Sequence, residues 1–123
     1  MRILIVEDDH KLGGLLVEGL QQEGYEVERV QDGEAAIRRA LTIDYDLILL
    51  DYMLPKKNGH QVTVELRGAG RQTPILMLTA RDAPEDLRAA MNAGVNALMG
   101  KPFRFAELVD RINALAAGPP ESA

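Results

Sequence analysis

Short apolar runs alternate with amphipathic segments along the chain. Five runs rich in Ile, Leu and Val predict strands, at residues 2–6, 25–30, 46–50, 75–78 and 96–100. The segments that follow them repeat apolar residues three and four positions apart and predict helices, at about 10–23, 32–41, 60–68, 84–93 and 103–117. This alternation predicts an α/β domain, a parallel sheet with helices on both faces. Right-handed crossovers leave few topologies, and we expect a doubly wound sheet of five strands in the order 2-1-3-4-5.

The first and last helices carry the clearest patterns. The apolar stripe of the first helix is predicted to contain Leu12, Leu15, Leu16, Gly19 and Leu20, and the inward face of the last helix Phe105, Leu108, Val109, Ile112 and Leu115. Asp9 and Asp32 stand where N-caps belong. Three glycines in the first helix (13, 14 and 19) are each expected to weaken it by about 1 kcal/mol relative to alanine.

Composition narrows the possible function classes. A chain of 123 residues is long enough for one ordinary core. The formal net charge of -5 argues against direct nucleic-acid binding, and without cysteine there are no disulfides or thiol nucleophiles. The chain has neither a signal-peptide pattern nor an apolar stretch of about 20 residues, so we expect a cytoplasmic domain with no membrane segment.

Carboxylates follow two of the predicted strands at the point where each strand ends. Asp51 follows the third apolar run, while Glu7 and Asp8 follow the first. The carboxyl ends of parallel strands meet at one edge of the sheet, where ligands of such folds bind. Like charges this close raise one another's pKa unless a cation joins them, and Mg²⁺ is the expected cation for oxygen ligands. Asp9 is interpreted as a helix cap and not as a ligand.

Two further strand ends carry a hydroxyl and an ammonium group, on Thr79 and Lys101. Together with carboxylates and Mg²⁺ these groups suit phosphoryl transfer, which requires charge to be neutralised on the phosphoryl oxygens. An aspartate can itself be the nucleophile and form an aspartyl-phosphate. Lys101 would then neutralise the phosphoryl group, and Thr79 would donate a hydrogen bond to one of its oxygens. Each residue alone would be read as an ordinary cap, loop hydroxyl or surface lysine.

At these residues the chain closely resembles the receiver domain of two-component response regulators. The matching pieces fall in the right order and spacing between residue 1 and about 117, at 3–9, 46–55, 58–59, 74–81, 93–94 and 101–103. The opening strand and the run 51–55 are most similar to the OmpR/PhoB-like subclass. The resemblance implies a flavodoxin-like (CheY-like) fold for a receiver domain over 1–117, with 118–123 as a linker or frayed tail.

The resemblance implies an acceptor and a metal site. Asp51 would accept a phosphoryl group from the phosphohistidine of a histidine kinase. Glu7, Asp8 and Asp51 would hold Mg²⁺ together with the backbone carbonyl of Met53. No enzymatic turnover is expected beyond slow self-phosphorylation and self-dephosphorylation.

The resemblance also implies a phosphate site and an output. Thr79 would be the switch hydroxyl, the backbone N–H of Ala80 would bind the phosphate, and Lys101 would be its counter-ion, with a cis peptide bond to Pro102. Phosphorylation would switch the surface formed by the fourth helix, fifth strand and fifth helix. That surface would act on an output domain or downstream protein, and it could form a homodimer.

Three positions on this output surface, and the loop beside the site, depart from the family pattern. Leu98 stands where an aromatic residue normally swings inward after phosphorylation. Asn96 and Ala97 replace paired acids that form salt bridges across a dimer, so Arg111 lacks its acidic partner. Residues 56–59 replace a loop that usually ends in Asp-Gly. We therefore expect intact phosphorylation chemistry with an altered output surface.

Three other functions remain as alternatives. A Mg²⁺-dependent phosphatase of the haloacid-dehalogenase type would need its nucleophile and its acid two residues apart after the first strand, a pattern absent from 7–9. A nucleotide- or flavin-binding domain would need a glycine-rich loop there. A degenerate receiver, acting as a phosphorylation-independent interaction module, would fit the departures but not the complete acidic pocket.

Overall fold

The computed structural model describes residues 1–80 and 83–116 as five strands that alternate with five helices. In chain order the elements are β1 Arg2–Val6, α1 His10–Gln22, β2 Glu26–Val30, α2 Gly33–Thr42, β3 Leu47–Asp51, α3 Gly59–Gly68, β4 Ile75–Thr79, α4 Pro84–Ala93, β5 Ala97–Gly100 and α5 Phe105–Ala116. All strand pairs are parallel, in the order β2-β1-β3-β4-β5. The predicted α/β class and strand order are confirmed.

The sheet divides the interior into two cores. The three central strands (β1, β3 and β4) are buried on both faces, which explains their unbroken apolar runs. On one face Leu4, Ile48 and Met77 pack with α2, α3 and α4, and on the other Ile5 and Leu49 pack with α1 and α5. Because all five strands run in the same direction, their carboxyl ends lie at one edge of the sheet between these two cores.

Capping aspartates begin the first two helices as predicted. The Asp9 side chain accepts hydrogen bonds from the backbone N–H groups of Lys11 and Leu12. The Asp32 side chain accepts one from Ala35 at 2.8 Å. Each cap satisfies donors that a helix N-terminus leaves without partners. These contacts fix where the chain turns from the functional edge of the sheet into α1 and α2.

Two apolar side chains predicted to face inward are exposed instead. Leu15 is 59% exposed, because α1 buries Gly13, Leu16 and Leu20, and successive helical residues lie about 100° apart around the axis. Phe105 is 37% exposed at the start of α5. Its ring lies across Gly19, whose Cβ would stand 2.5 Å from the ring edge if it had one. The two side chains flank an open apolar groove between α1 and α5.

The element ends differ from the predicted ones by one or two residues. Asp51 and Thr79 were expected to follow their strands but are the last residues of β3 and β4. The α5 helix begins at Phe105 rather than at residue 103. The linker predicted at 118–123 lies outside the described residues. In the described part of the chain no helix is both long and apolar enough to span a membrane.

Candidate functional site: an acidic cleft at the carboxyl edge of the sheet

Backbone hydrogen bonds of the sheet continue past the ends of the strands into the segments that carry the site. The N–H of Glu7 donates to the carbonyl of Val30 at 3.1 Å, and the N–H of Tyr52 to that of Leu78 at 2.9 Å. The N–H of Lys101 donates to the carbonyl of Thr79 at 3.0 Å. Three site segments are thus attached directly to neighbouring strands.

Three carboxylates converge at this edge. One oxygen each from Glu7, Asp8 and Asp51 lies within 4.8 Å of the others. Glu7 and Asp51 are buried, at 2% and 4% exposure, and Asp8 is exposed. They line an open cleft of about 710 Å³ together with Met53, Lys101 and five others: Asp9, Tyr52, Leu54, Pro55 and Asn58. The acids predicted from two separate strand ends therefore share one site.

Lys101 lies between the two buried carboxylates. Its Nζ is 3.0 Å from Asp51 Oδ1 and 3.3 Å from Glu7 Oε1. Partial burial by itself lowers the pKa of Lys101, but the hydrogen bond to Asp51 and the charges of both acids hold that pKa above its usual value. Lys101 is therefore an ammonium ion in the site. The peptide bond that follows it, to Pro102, is cis as expected.

Glu7 retains a raised pKa in spite of this neighbour. Burial is the largest cause, and the charge of Asp51 adds to it, whereas a hydrogen bond from the N–H of Asp9 and the contact with Lys101 act in the opposite direction. Two carboxylates share a single ammonium group here. The site thus contains more negative charge than its own residues neutralise.

The donor set fits a hard divalent cation. Three carboxylates that offer converging oxygens, two of them buried, match the oxygen ligands that Mg²⁺ takes in proteins. Such an ion would neutralise the charge that Lys101 leaves uncompensated. The structure is therefore compatible with the predicted magnesium site.

The loop between β3 and α3 forms one wall of the cleft. Gly59 permits its close return, because a Cβ there would lie 2.8 Å from the carbonyl oxygen of Asp51. Asn58 forms a capping box with Gln61 at the start of α3. Lys56 adopts a left-handed conformation, with φ 68°. The Met53 side chain is 65% exposed at the cleft.

Two predicted phosphate-binding residues lie beside the cleft and not among its lining residues. Thr79, at the end of β4, is buried at 5% exposure and lines a separate cavity of about 10 Å³. That cavity is closed by Tyr52 and Leu98, with α4 on its other side. Ala80 follows β4 and is exposed. The structure thus brings the acids and Lys101 together in the cleft, whereas Thr79 lines the neighbouring cavity at the end of β4.

One residue near the site was missed by the sequence reasoning. Arg29, in the edge strand β2, donates hydrogen bonds to the backbone carbonyls of Glu7 and Asp9, at 3.1 and 3.2 Å. Strand β2 is only half-buried, and three of its five residues are charged, so an arginine there is expected to be an ordinary solvated side chain. The available signal was Gly13 on α1, because a glycine inside a helix can mark a position where another group packs closely.

Comparisons with known proteins show the family to which the chain belongs. The family model described as the response regulator receiver domain matches residues 3–113. The transcriptional regulatory protein RprY of Bacteroides fragilis is 43% identical over 115 residues, which make up 94% of this chain and 49% of that protein. The chain therefore spans about half the length of the curated relatives that it matches.

Solved structures give the same result. The receiver domain of the Francisella response regulator 1452 superposes with a TM-score of 0.91 at 28% identity, over 94% of this chain and 96% of that one. The receiver domain of the sensor histidine kinase PA1611 from Pseudomonas aeruginosa was solved with a magnesium ion coordinated in its active site cleft. It superposes with a TM-score of 0.84 at 37% identity, over 95% of this chain and 98% of that one. Fold, cleft and family model agree, and this chain belongs to the family of response regulator receiver domains.

Proposed function

We propose that this domain is a phosphoacceptor that receives a phosphoryl group from a histidine kinase on Asp51. The observation that carries the proposal is the position of Asp51 between Lys101, at 3.0 Å, and the acids Glu7 and Asp8. A buried carboxylate at the end of a central strand faces an open cleft in which charge on a phosphoryl group can be neutralised. Cytoplasmic location and the domain limits 1–117, with a linker at 118–123, belong to the same proposal.

In the proposed step a carboxylate oxygen of Asp51 attacks the phosphorus of a phosphohistidine. The new P–O bond forms as the P–N bond breaks, and the imidazole nitrogen leaves with the electron pair of that bond. The phosphohistidine ring enters with a proton on its other nitrogen, so the products are an aspartyl-phosphate on Asp51 and a neutral imidazole on the kinase. No redox partner is required. Reaction with water would return the carboxylate slowly, so turnover is limited to self-phosphorylation and self-dephosphorylation.

The surrounding residues have separate roles in this proposal. Glu7, Asp8, Asp51 and the backbone carbonyl of Met53 would hold Mg²⁺, which when bound supplies positive charge to the phosphoryl oxygens. Lys101 would move from the two carboxylates to a phosphoryl oxygen, because the transferred group brings additional negative charge to Asp51. Thr79 would donate its hydroxyl, and the N–H of Ala80 would donate to the phosphate.

Intact mass measured after incubation with acetyl phosphate tests the acceptor. We expect a gain of one phosphoryl group that requires Mg²⁺ and is absent in Asp51→Asn. Asp9→Asn is the matched control, because Asp9 belongs to the same acidic run but its side chain caps α1, and asparagine caps equally well. Phosphorylation that persists in Asp51→Asn would contradict the assignment. Binding of Mg²⁺ without any adduct would favour the degenerate receiver instead.

The output surface formed by α4, β5 and α5 is proposed to act differently from that of other receivers. The Asn96 side chain is used within its own chain, where its Oδ1 accepts hydrogen bonds from the N–H of Ile75 and from Arg67. Arg111 donates to the carbonyl of Leu98 at 3.4 Å. These groups therefore bind inward, and we expect a weaker phosphorylation-dependent dimer.

Sedimentation velocity with and without phosphorylation measures this dimer. We expect little change in dimer content for the natural sequence. Ala97→Asp, which restores an acid for Arg111 of a second copy, should increase the dimer fraction on phosphorylation. The double variant Ala97→Asp with Arg111→Ala should lose that increase. A natural chain that dimerises as strongly as the Ala97→Asp variant would contradict the altered surface.

Transcriptional regulation is the proposed output. The curated relatives, among them RprY, are transcriptional regulatory proteins about twice as long as the matched segment. We propose that the natural protein likewise joins this receiver to an output domain, and that the receiver itself makes no contact with nucleic acid.

A further inference from the structure

Arg29 holds the backbone of the acidic loop from the neighbouring strand. Its Nε donates to the carbonyl of Glu7 at 3.1 Å, and its terminal nitrogen Nη2 donates to the carbonyl of Asp9 at 3.2 Å. The two carbonyls lie on either side of Asp8 along the chain. The guanidinium group therefore fixes the backbone on both flanks of one converging carboxylate. A planar fork with several donors can make both contacts at once, which an ammonium group cannot do with the same geometry.

Gly13 makes room for this contact. A Cβ at position 13 would lie 2.2 Å from Arg29 Nε and 2.4 Å from Cζ, closer than any real side chain allows. A Cβ at the next residue, Gly14, would meet no atom within 4 Å. Alanine is a better helix former than glycine by about 1 kcal/mol, so Gly13 is unfavourable for α1 considered alone. The guanidinium group explains why α1 has a glycine at this position.

Asp8 depends on its backbone for its position. Of the three converging carboxylates it is the exposed one, and its side chain makes no hydrogen bond or ion pair with the described residues. Glu7 by contrast is held through its side chain by Lys101 and by the N–H of Asp9. The direction of the Asp8 carboxylate is thus set mainly by the loop that Arg29 and the Asp9 cap hold in place.

We infer that Arg29, with the space left by Gly13, is a positioning residue that aims Asp8 at a divalent cation shared with Glu7 and Asp51. The inference rests on the metal site of the proposed function and adds a residue that positions one of its ligands. The charge of Arg29 and its contacts with the loop are expected to have opposite effects on the affinity for the cation. As a bare positive charge Arg29 would weaken cation binding, whereas as a positioning residue it strengthens binding.

Titration of the ¹⁵N-labelled chain with Mg²⁺, followed by amide chemical shifts, measures the dissociation constant without any phosphorylation. We expect Arg29→Met to raise that constant by about tenfold, the usual effect of removing a group that orients a metal ligand. Arg29→Lys keeps the charge but not the fork, so its affinity should fall between those of the natural chain and Arg29→Met. Gly13→Ala should weaken binding by displacing the guanidinium group, and Gly14→Ala is its matched control, with unchanged affinity.

The double variant Gly13→Ala with Arg29→Met tests whether the two substitutions weaken Mg²⁺ binding through the same contact or independently. Because Gly13→Ala acts through Arg29, adding it to Arg29→Met should not weaken Mg²⁺ binding further. The phosphorylation kinetics should agree, with a higher Mg²⁺ requirement in Arg29→Met and a nearly unchanged maximal rate. Amide spectra of each variant verify the native fold before titration, and if Gly13→Ala does not fold, the two Arg29 variants decide.

Three results would overturn the inference. Arg29→Met could bind Mg²⁺ as tightly as the natural chain or more tightly, which would make Arg29 a bystander or a simple repelling charge. Equal losses in Gly13→Ala and Gly14→Ala would assign the effect to the helix and not to the guanidinium group. Failure of the natural chain to bind Mg²⁺ would remove the metal site of the proposed function together with this inference, whereas equal affinities across the variants would remove the inference alone.

Discussion

The ammonium group of Lys101 lies 3.0 Å from a carboxylate oxygen of Asp51, although the strands that carry the two residues are not neighbours. Asp51 ends β3, Lys101 follows β5, and β4 runs between them. The lysine side chain therefore spans the end of a strand to reach a carboxylate that is 4% exposed. In the absence of a metal ion this contact is the main neutralisation available to Asp51 within the described residues.

Removal of the ammonium group should destabilise the metal-free domain. In Lys101→Met, Glu7 and Asp51 would remain buried together without a cation, and we expect the free energy of unfolding to fall by about 1–3 kcal/mol. Excess Mg²⁺ should restore most of the loss, because it neutralises the same two carboxylates. Urea unfolding with and without Mg²⁺ measures both effects.

Lys57→Met provides the matched control for that measurement. Lys57 forms an ion pair with Glu65 at 2.7 Å, but this pair lies on the surface. Exposed ion pairs contribute about 0–1 kcal/mol to the free energy of unfolding. Because this pair lies outside the acidic cleft, Mg²⁺ should not restore its loss. Equal losses in the two variants, or a Lys101→Met loss that Mg²⁺ leaves unchanged, would contradict the role of Lys101.

The stability of the metal-free domain should depend on the protonation of Glu7. Its folded-state pKa lies above the ordinary value of 4.5, chiefly through burial, so the folded state binds this proton more tightly than the unfolded state. The resulting stabilisation is fully present below pH 4.5 and is lost as the pH rises through the folded-state pKa. Urea unfolding at a series of pH values should show this decline for the natural chain without Mg²⁺.

Two comparisons assign that decline to Glu7. Glu7→Gln should lack this part of the pH dependence, since an amide does not titrate. Saturating Mg²⁺ should also remove it, because a bound cation favours the charged carboxylate. A decline of the same size in Glu7→Gln would place the titrating group elsewhere.

Gly33→Ala should destabilise the domain through the loop that borders the cleft. A Cβ at Gly33 would lie 2.0 Å from the backbone carbonyl oxygen of Lys57, which cannot move aside as a flexible side chain could. We expect a loss of about 1–3 kcal/mol, typical of overpacking, in thermal or urea unfolding. Gly68→Ala is the control, because open space surrounds that position at the end of α3. Gly68→Ala should be neutral or stabilising, by up to about 1 kcal/mol.

The Asp32 cap should contribute stability that acid removes. Its hydrogen bond from the N–H of Ala35, and then the nearby charge of Lys56, hold the pKa of Asp32 below its usual value. The contribution is present above the unfolded pKa and is lost as the pH falls through the lower folded one. Asp32→Ala should cost about 1 kcal/mol near neutral pH. Asp32→Asn keeps the cap and should differ from the natural chain chiefly in its weaker acid dependence.

The architecture was predictable because the signals on which it depends are local. Strands buried on both faces need unbroken apolar runs, and the caps at Asp9 and Asp32 are read from single residues at the right offset. The convergence of Glu7, Asp8 and Asp51 followed from the rule that parallel strands end at one edge. The sequence alone therefore predicts that these three carboxylates lie together, as they do.

Other features depend on the reach of side chains across elements, which a linear pattern does not record. Nothing local to Arg29 indicates that it extends over Gly13 to the carbonyls of Glu7 and Asp9. The exposure of Leu15 and Phe105 depends on how much of the surface of α1 and α5 the sheet covers, which their own sequences do not record. The roles proposed for Thr79 and Ala80 stay predictions, because they concern contacts that form only with a phosphoryl group.

The hydrogen bonds that extend past the strand ends at Glu7, Tyr52 and Lys101 join the site to the neighbouring strands β2 and β4. Releasing one of these segments would break a hydrogen bond to a neighbouring strand, so we expect hydrogen exchange at Glu7, Tyr52 and Lys101 to be slowed together with that of the strands. A destabilising core substitution should accordingly lower the fraction of molecules that can react. In the molecules that stay folded the rate constant would be unchanged. Loss of reactivity through such a substitution would thus reflect how many molecules are folded and not a changed site.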